Sequence, residues 1–95
     1  MKIEELKNHI EVLKPVSKER FKVETIGIFG SYVRGEQKRK SDLDVLVEFS
    51  ETPSLFEFVE LEDFLSQKLG VKVDLVLRDA LKPRIRDSIL SEAVY

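Results

Sequence analysis

Gly30-Ser31, ten further residues, then Asp42-Leu43-Asp44 is the most informative run of this chain, and its neighbours show why. Val23-Glu24-Thr25-Ile26-Gly27-Ile28-Phe29 precedes it and Val45-Leu46-Val47-Glu48-Phe49 follows it, and both apolar runs read as buried strands. A Gly-Ser turn leaving a strand offers backbone N–H groups and a hydroxyl to an anion such as phosphate. Aspartates at i and i+2 on a strand project to one face. Asp is depleted in strands, so two of them opening a Val/Leu/Phe strand require a reason. Two carboxylates about 4–5 Å apart repel by roughly 1 kcal/mol in water, and by several times that in a partly dry cleft. A hard divalent cation held between them near a polyphosphate supplies the reason.

Outward from this centre, the rest of the chain alternates helical and strand patterns. Ile3, Leu6, Ile10 and Leu13 predict a helix over 2–14, with Pro15 as its break and 17–22 as a polar connection. A short helix is expected from Ser31, closed by Gly35. The second strand runs from about Leu43 to Phe49. Ser54 and Glu57 form a capping-box pattern for a helix from Leu55 to Leu69 that buries Leu55, Phe58, Val59, Leu65 and Leu69, with Gly70 as its stop. Phe56, Phe58 and Phe64, at helical spacing, also read as core, with a partner-facing position as the alternative for Phe56. Val71–Leu77 predicts a third strand, and Lys82-Pro83 opens a last helix with Ile85, Ile89, Leu90 and Val94 on its apolar side. The expected fold class is α/β: a small mixed sheet of three to four strands flanked by helices. The strand–helix–strand unit at its end should be parallel and right-handed. The first strand pair could run either way.

Size and charge narrow the function. Ninety-five residues predict one domain, 1–95, with one modest core. Sixteen Lys and Arg against 18 Asp and Glu leave a net charge of −2, a poor basis for tight binding to nucleic acid, which runs on phosphate neutralisation. No apolar run approaches the roughly 20 residues that span a bilayer, and the first residues lack the apolar centre of a signal peptide, so a cytoplasmic location is expected. Without cysteine there is no thiolate nucleophile and no Cys-ligated zinc.

Asp74, in the third strand, is the remaining acidic candidate, because a buried parallel strand should be apolar there. If the second and third strands are neighbours, Asp74 joins Asp42 and Asp44, and three carboxylates with phosphate oxygens and water suit Mg²⁺. Such a cluster facing a Gly-Ser turn implies phosphoryl or nucleotidyl transfer. In that reading Ser31 binds β- and γ-phosphates, Arg34 neutralises the leaving pyrophosphate, and Asp74 accepts a proton. His9, the only histidine, is assigned no role.

Gly30-Ser31, Arg34-Gly35, Ser41, Asp42-Leu43-Asp44 and the later Asp74 together resemble the nucleotidyltransferases of the DNA polymerase beta superfamily, and in length and ending the minimal nucleotidyltransferases (MNT). The resemblance implies a polymerase beta-like fold. It also implies nucleotide binding by Gly30, Ser31, Arg34 and Ser41, and catalysis with Mg²⁺, as two ions, at Asp42, Asp44 and Asp74. MNT proteins commonly act with a small helical HEPN partner, a toxin-like ribonuclease. The resemblance therefore implies an antitoxin that moves AMP from ATP to a tyrosine of that partner, in a hetero-oligomer. The alternatives are an antitoxin that works by occlusion alone, and a small-molecule nucleotidyltransferase.

Overall fold

The computed structural model describes residues 2–95. In chain order they form α1 (Ile3–Phe21), β1 (Val23–Phe29), α2 (Ser31–Arg34), β2 (Leu43–Phe49), α3 (Leu55–Leu69), β3 (Val73–Leu77), a 3₁₀ turn (Arg78–Ala80) and α4 (Pro83–Glu92). The sheet has three strands in the order β1-β2-β3. β1 and β2 are antiparallel, with Phe29 opposite Asp44, whereas β2 and β3 are parallel, with Asp44 opposite Asp74. The sheet is thus mixed, as expected, and the open question of the first pair is resolved as antiparallel.

Alternation along the strands sorts the side chains between two faces. Ile26, Ile28, Leu43, Val45, Val47, Val73 and Leu75 belong to one continuous apolar core with Leu6, Ile10, Leu13 and Phe21 of α1 and Leu61, Leu65 and Leu69 of α3. Both long helices therefore cover the same face. Phe21 and Phe64 close the seam between them with ring centroids 5.3 Å apart, and Arg20 lies over both rings. The opposite face carries Asp44 and Asp74.

Both edges of the sheet are partly covered. Val94, beyond α4, exchanges two backbone bonds of 2.8 Å with Ile28 and covers the end of the β1 edge. On β3, the Val73 and Leu75 N–H groups donate to Ser66 Oγ and Glu62 Oε2 of α3, each at 3.0 Å. These bonds satisfy part of each edge and reduce what it offers to another strand.

Several expectations need correction. The first helix does not stop at Pro15 but continues to Phe21. Pro15 removes one intrahelical bond, yet Leu13, Ser17 and Phe21 carry the buried stripe on past it, and packing outweighs the local penalty. The third strand begins at Val73, two residues late, so Asp74 sits near its start and not mid-way. Leu55, Phe56 and Val59 are exposed; the buried face of α3 is Leu61, Leu65 and Leu69. Phe58 and Phe64 pack against the core from its margin. α4 buries none of its residues, and Ile85 is exposed. The capping box is present as expected, with Ser54 Oγ accepting from the Glu57 N–H and Glu57 Oε1 accepting from the Ser54 N–H.

Candidate active site

The site stands where β1 ends and β2 begins. Gly30 leaves β1 at φ 84°, ψ −152°, a region that essentially only glycine occupies. Its missing side chain is also a steric requirement, since a Cβ there would collide with Asp44 Oδ2. Ser31 then opens α2, and Gly35 ends it in the left-handed conformation. After the exposed loop Lys38-Arg39-Lys40 the chain re-enters the sheet. Ser41 closes this loop: its hydroxyl accepts from the Lys38 N–H at 2.7 Å, and its own N–H donates to the Lys38 carbonyl. Tyr32, buried under the loop, sends its hydroxyl toward the Ser41 carbonyl at 3.5 Å.

Asp44 and Asp74 are cross-strand partners in a parallel pair and so lie side by side on one face. Asp42, two residues before Asp44, is on the same side. The consequence appears in Asp44. Its partial burial, and then the nearby charges of Asp74 and Asp42, push its carboxyl up to about 6, against a smaller opposing effect of the Arg34 guanidinium. The protein's own cations do little for the trio. Lys72 Nζ approaches Asp42 Oδ2 only at 4.0 Å, from an exposed position. Hard oxygen donors that repel one another in this manner suit a divalent cation, and Asp42, Asp44 and Asp74 are the residues that fit it. Among the described residues no three acidic or histidine side chains are already gathered into a metal cage.

Asp44 opens into a cleft of about 550 Å³ whose opposite wall is α4; Phe29, Gly30, Arg34, Arg84, Ile85, Ser88, Ile89 and Glu92 complete the lining. A hollow of equal volume by Lys14, Lys18, Thr25 and Tyr95 has no paired carboxylates. Arg34, expected at a pyrophosphate, is held by two carboxylates. Its Nε donates to Glu36 Oε1 at 3.0 Å and its Nη1 to Glu92 Oε1 at 2.7 Å. The structure thus brings Gly30, Arg34 and Asp44 into one cleft, with Asp42 and Asp74 beside it, and employs Ser41 in the loop. The α4 residues had not been anticipated.

The profile of the nucleotidyltransferase domain family matches residues 10–95. The chain belongs to this family. The protein adenylyltransferase MntA of Thermococcus cleftensis is 50% identical to it over 93 residues, 98% of this chain and 94% of that protein. A solved structure of a candidate minimal nucleotidyltransferase is 37% identical, superposes with a TM-score of 0.84, and is covered to 96% by the whole of this chain. The nucleotidyltransferase also resembles a chain of a toxin–antitoxin crystal structure with AMP-PNP, at 28% identity and a TM-score of 0.72, over 92% of this chain and 70% of that one. The fold and the minimal-nucleotidyltransferase relationship expected from the sequence are therefore the ones found. Among the described residues no helix is long and apolar enough to cross a membrane.

Proposed function

We propose that this nucleotidyltransferase moves AMP from ATP to a tyrosine hydroxyl of a HEPN-type partner and acts as its antitoxin in the cytoplasm. The observation that carries the reading is the side-by-side placement of Asp44 and Asp74, with Asp42 on the same face, against a glycine that has no room for a side chain. The relatives support the protein acceptor, since one is named a protein adenylyltransferase and another chain belongs to a toxin–antitoxin pair with a bound ATP analogue.

The Gly30 N–H, the Ser31 hydroxyl and the Arg34 guanidinium hold the phosphates and fix the α-phosphorus over the carboxylates. Asp42, Asp44 and Asp74 would hold Mg²⁺, which when bound neutralises triphosphate charge and lowers the pKa of the attacking hydroxyl. Asp74, the most exposed of the three, takes the phenolic proton as the tyrosine oxygen bonds to the α-phosphorus. The bond to the β-phosphate oxygen breaks, and pyrophosphate leaves. α4 screens the cleft on one side only, so the acceptor side chain can approach from a second protein.

The test is to incubate the protein, ATP and Mg²⁺ with the protein encoded beside it and to read the partner's intact mass. An adenylyl adduct that disappears with Asp42→Ala is expected. Absence of any adduct with the wild-type protein overturns the reading. An adduct-free variant that still silences the partner would indicate neutralisation by contact.

A further inference from the structure

Glu92, the last residue of α4, makes a contact that nucleotidyl transfer does not call for. Its Oε2 accepts from the Gly30 N–H at 3.0 Å and its Oε1 from Arg34 Nη1 at 2.7 Å. Both carboxylate oxygens are therefore gripped, by donors at the two ends of α2. Burial pushes this carboxyl up, but the bonds from Arg34 and Gly30 outweigh it and hold Glu92 below the usual range, so it stays an anion. A negative group held jointly by a backbone N–H and a guanidinium is also how a protein holds one phosphate. These are the same two donors to which the nucleotidyl-transfer reading assigns the substrate.

We infer that Glu92 is an internal competitor for the substrate's phosphate: the triphosphate binds by displacing its carboxylate from the Gly30 N–H and Arg34, and Glu92 thereby sets the affinity for nucleotide. The inference rests on the nucleotidyl-transfer reading and adds to it a residue outside the acidic motif. Three features favour exchange over a fixed strut. α4 buries none of its residues, so moving its end uncovers little core. The backbone bonds between Val94 and Ile28 tether the chain just beyond Glu92, so a displaced side chain stays near the cleft. Arg84 and Ser88 precede Glu92 at helical spacing along the same cleft wall, leaving a cationic and a hydroxyl group there when the carboxylate withdraws. A phosphate brings more charge and more acceptor oxygens than one carboxylate, so it wins the exchange while a weaker anion does not.

Glu92→Gln keeps the shape and removes the charge. Calorimetric titration with ATP in Mg²⁺ buffer should show binding roughly tenfold tighter than wild type, equivalent to about 1.4 kcal/mol. The Gly30 amide gives a second readout, because the chain has only 4 glycines and their amide signals are easily followed. It should shift on the substitution alone, and the ATP-saturated spectra of both proteins should coincide at this residue. Equal or weaker ATP binding by Glu92→Gln overturns the inference and leaves the nucleotidyl-transfer reading standing. Failure of both proteins to bind ATP overturns that reading, and the inference with it. Should Glu92→Gln not fold, Glu92→Asp, too short to reach both donors, is expected to tighten ATP binding as well, and unchanged binding there is equally fatal.

Discussion

The two faces of the sheet are built from the same strands, one residue apart, under opposite rules. Leu43 and Val45 point into the helix-covered side and are fully buried. Asp44, between them, points the other way, into charge. On the helix side the neighbours are apolar apart from the buried Ser17, and apolar contacts there add stability. On the other side Asp44 faces Asp74 and Asp42, and its raised pKa records first its partial burial and then the repulsion of those neighbours, both tolerated by the free protein. The difference shows a division of labour. A rigid apolar layer made by α1 and α3 lets the exposed face hold like charges in register, and a cluster that opposes folding is ready for a cation and a phosphate chain. Each face should therefore fail in its own way when altered.

The largest expected effect is on chemistry alone. Asp44→Ala should lower AMP transfer roughly a thousandfold, about 4 kcal/mol of transition-state stabilisation, while circular dichroism and melting show an intact fold. Leu65→Ala, on the covered face, should do the reverse. It opens a cavity under a fully buried side chain and should remove about 3 kcal/mol of stability by denaturant titration, with activity per folded molecule preserved. Gly30→Ala crosses the division. A Cβ both meets Asp44 and forces an unfavourable backbone region, so about 2 kcal/mol of stability and nucleotide binding should be lost together. A Gly30→Ala protein as stable as wild type would show that the turn can relax away from Asp44.

How much of each face was legible in the sequence follows from the same contrast. Strand boundaries at 23–29 and 43–49 were readable because apolar runs ended at turn residues with a defined backbone role. The parallel pairing of β2 with β3 followed from the intervening helix, which brought Asp74 next to Asp44. Pro15 misled, because a local penalty was weighed without the packing that runs past it, and the buried Ser17 disguised the continuing stripe. Leu55 and Val59 misled for another reason, and of the two readings of Phe56 the outward one holds. α3 has apolar residues around much of its circumference, and periodicity could not say that the Leu61–Leu65–Leu69 side would face inward. Glu92 was invisible, since no motif links the end of α4 to Gly30. Only the folded chain brings them within 3.0 Å.

The smallest expected effect separates the faces by pH. In the folded protein without added cation the Asp44 carboxyl titrates near 6, against 3.8 for an unperturbed one. A group whose folded pKa is raised gives its stability in full below the unfolded pKa and loses it as pH rises through the folded value. Carried over whole, the change is worth about 3 kcal/mol, but Asp44 is only partly buried and solvent screening reduces it to about 1 kcal/mol. Asp44→Asn removes the titration. It should match wild type near pH 4 and become more stable by about 1 kcal/mol by pH 7, the gap opening between those values and staying flat above. Added Mg²⁺ should narrow the gap at neutral pH, because a cation among the carboxylates stabilises the wild-type charge and gains less from the amide. A gap that stayed constant from pH 4 to pH 8 would mean that Asp44 does not titrate in this range, and that the acidic face is less strained than its geometry implies.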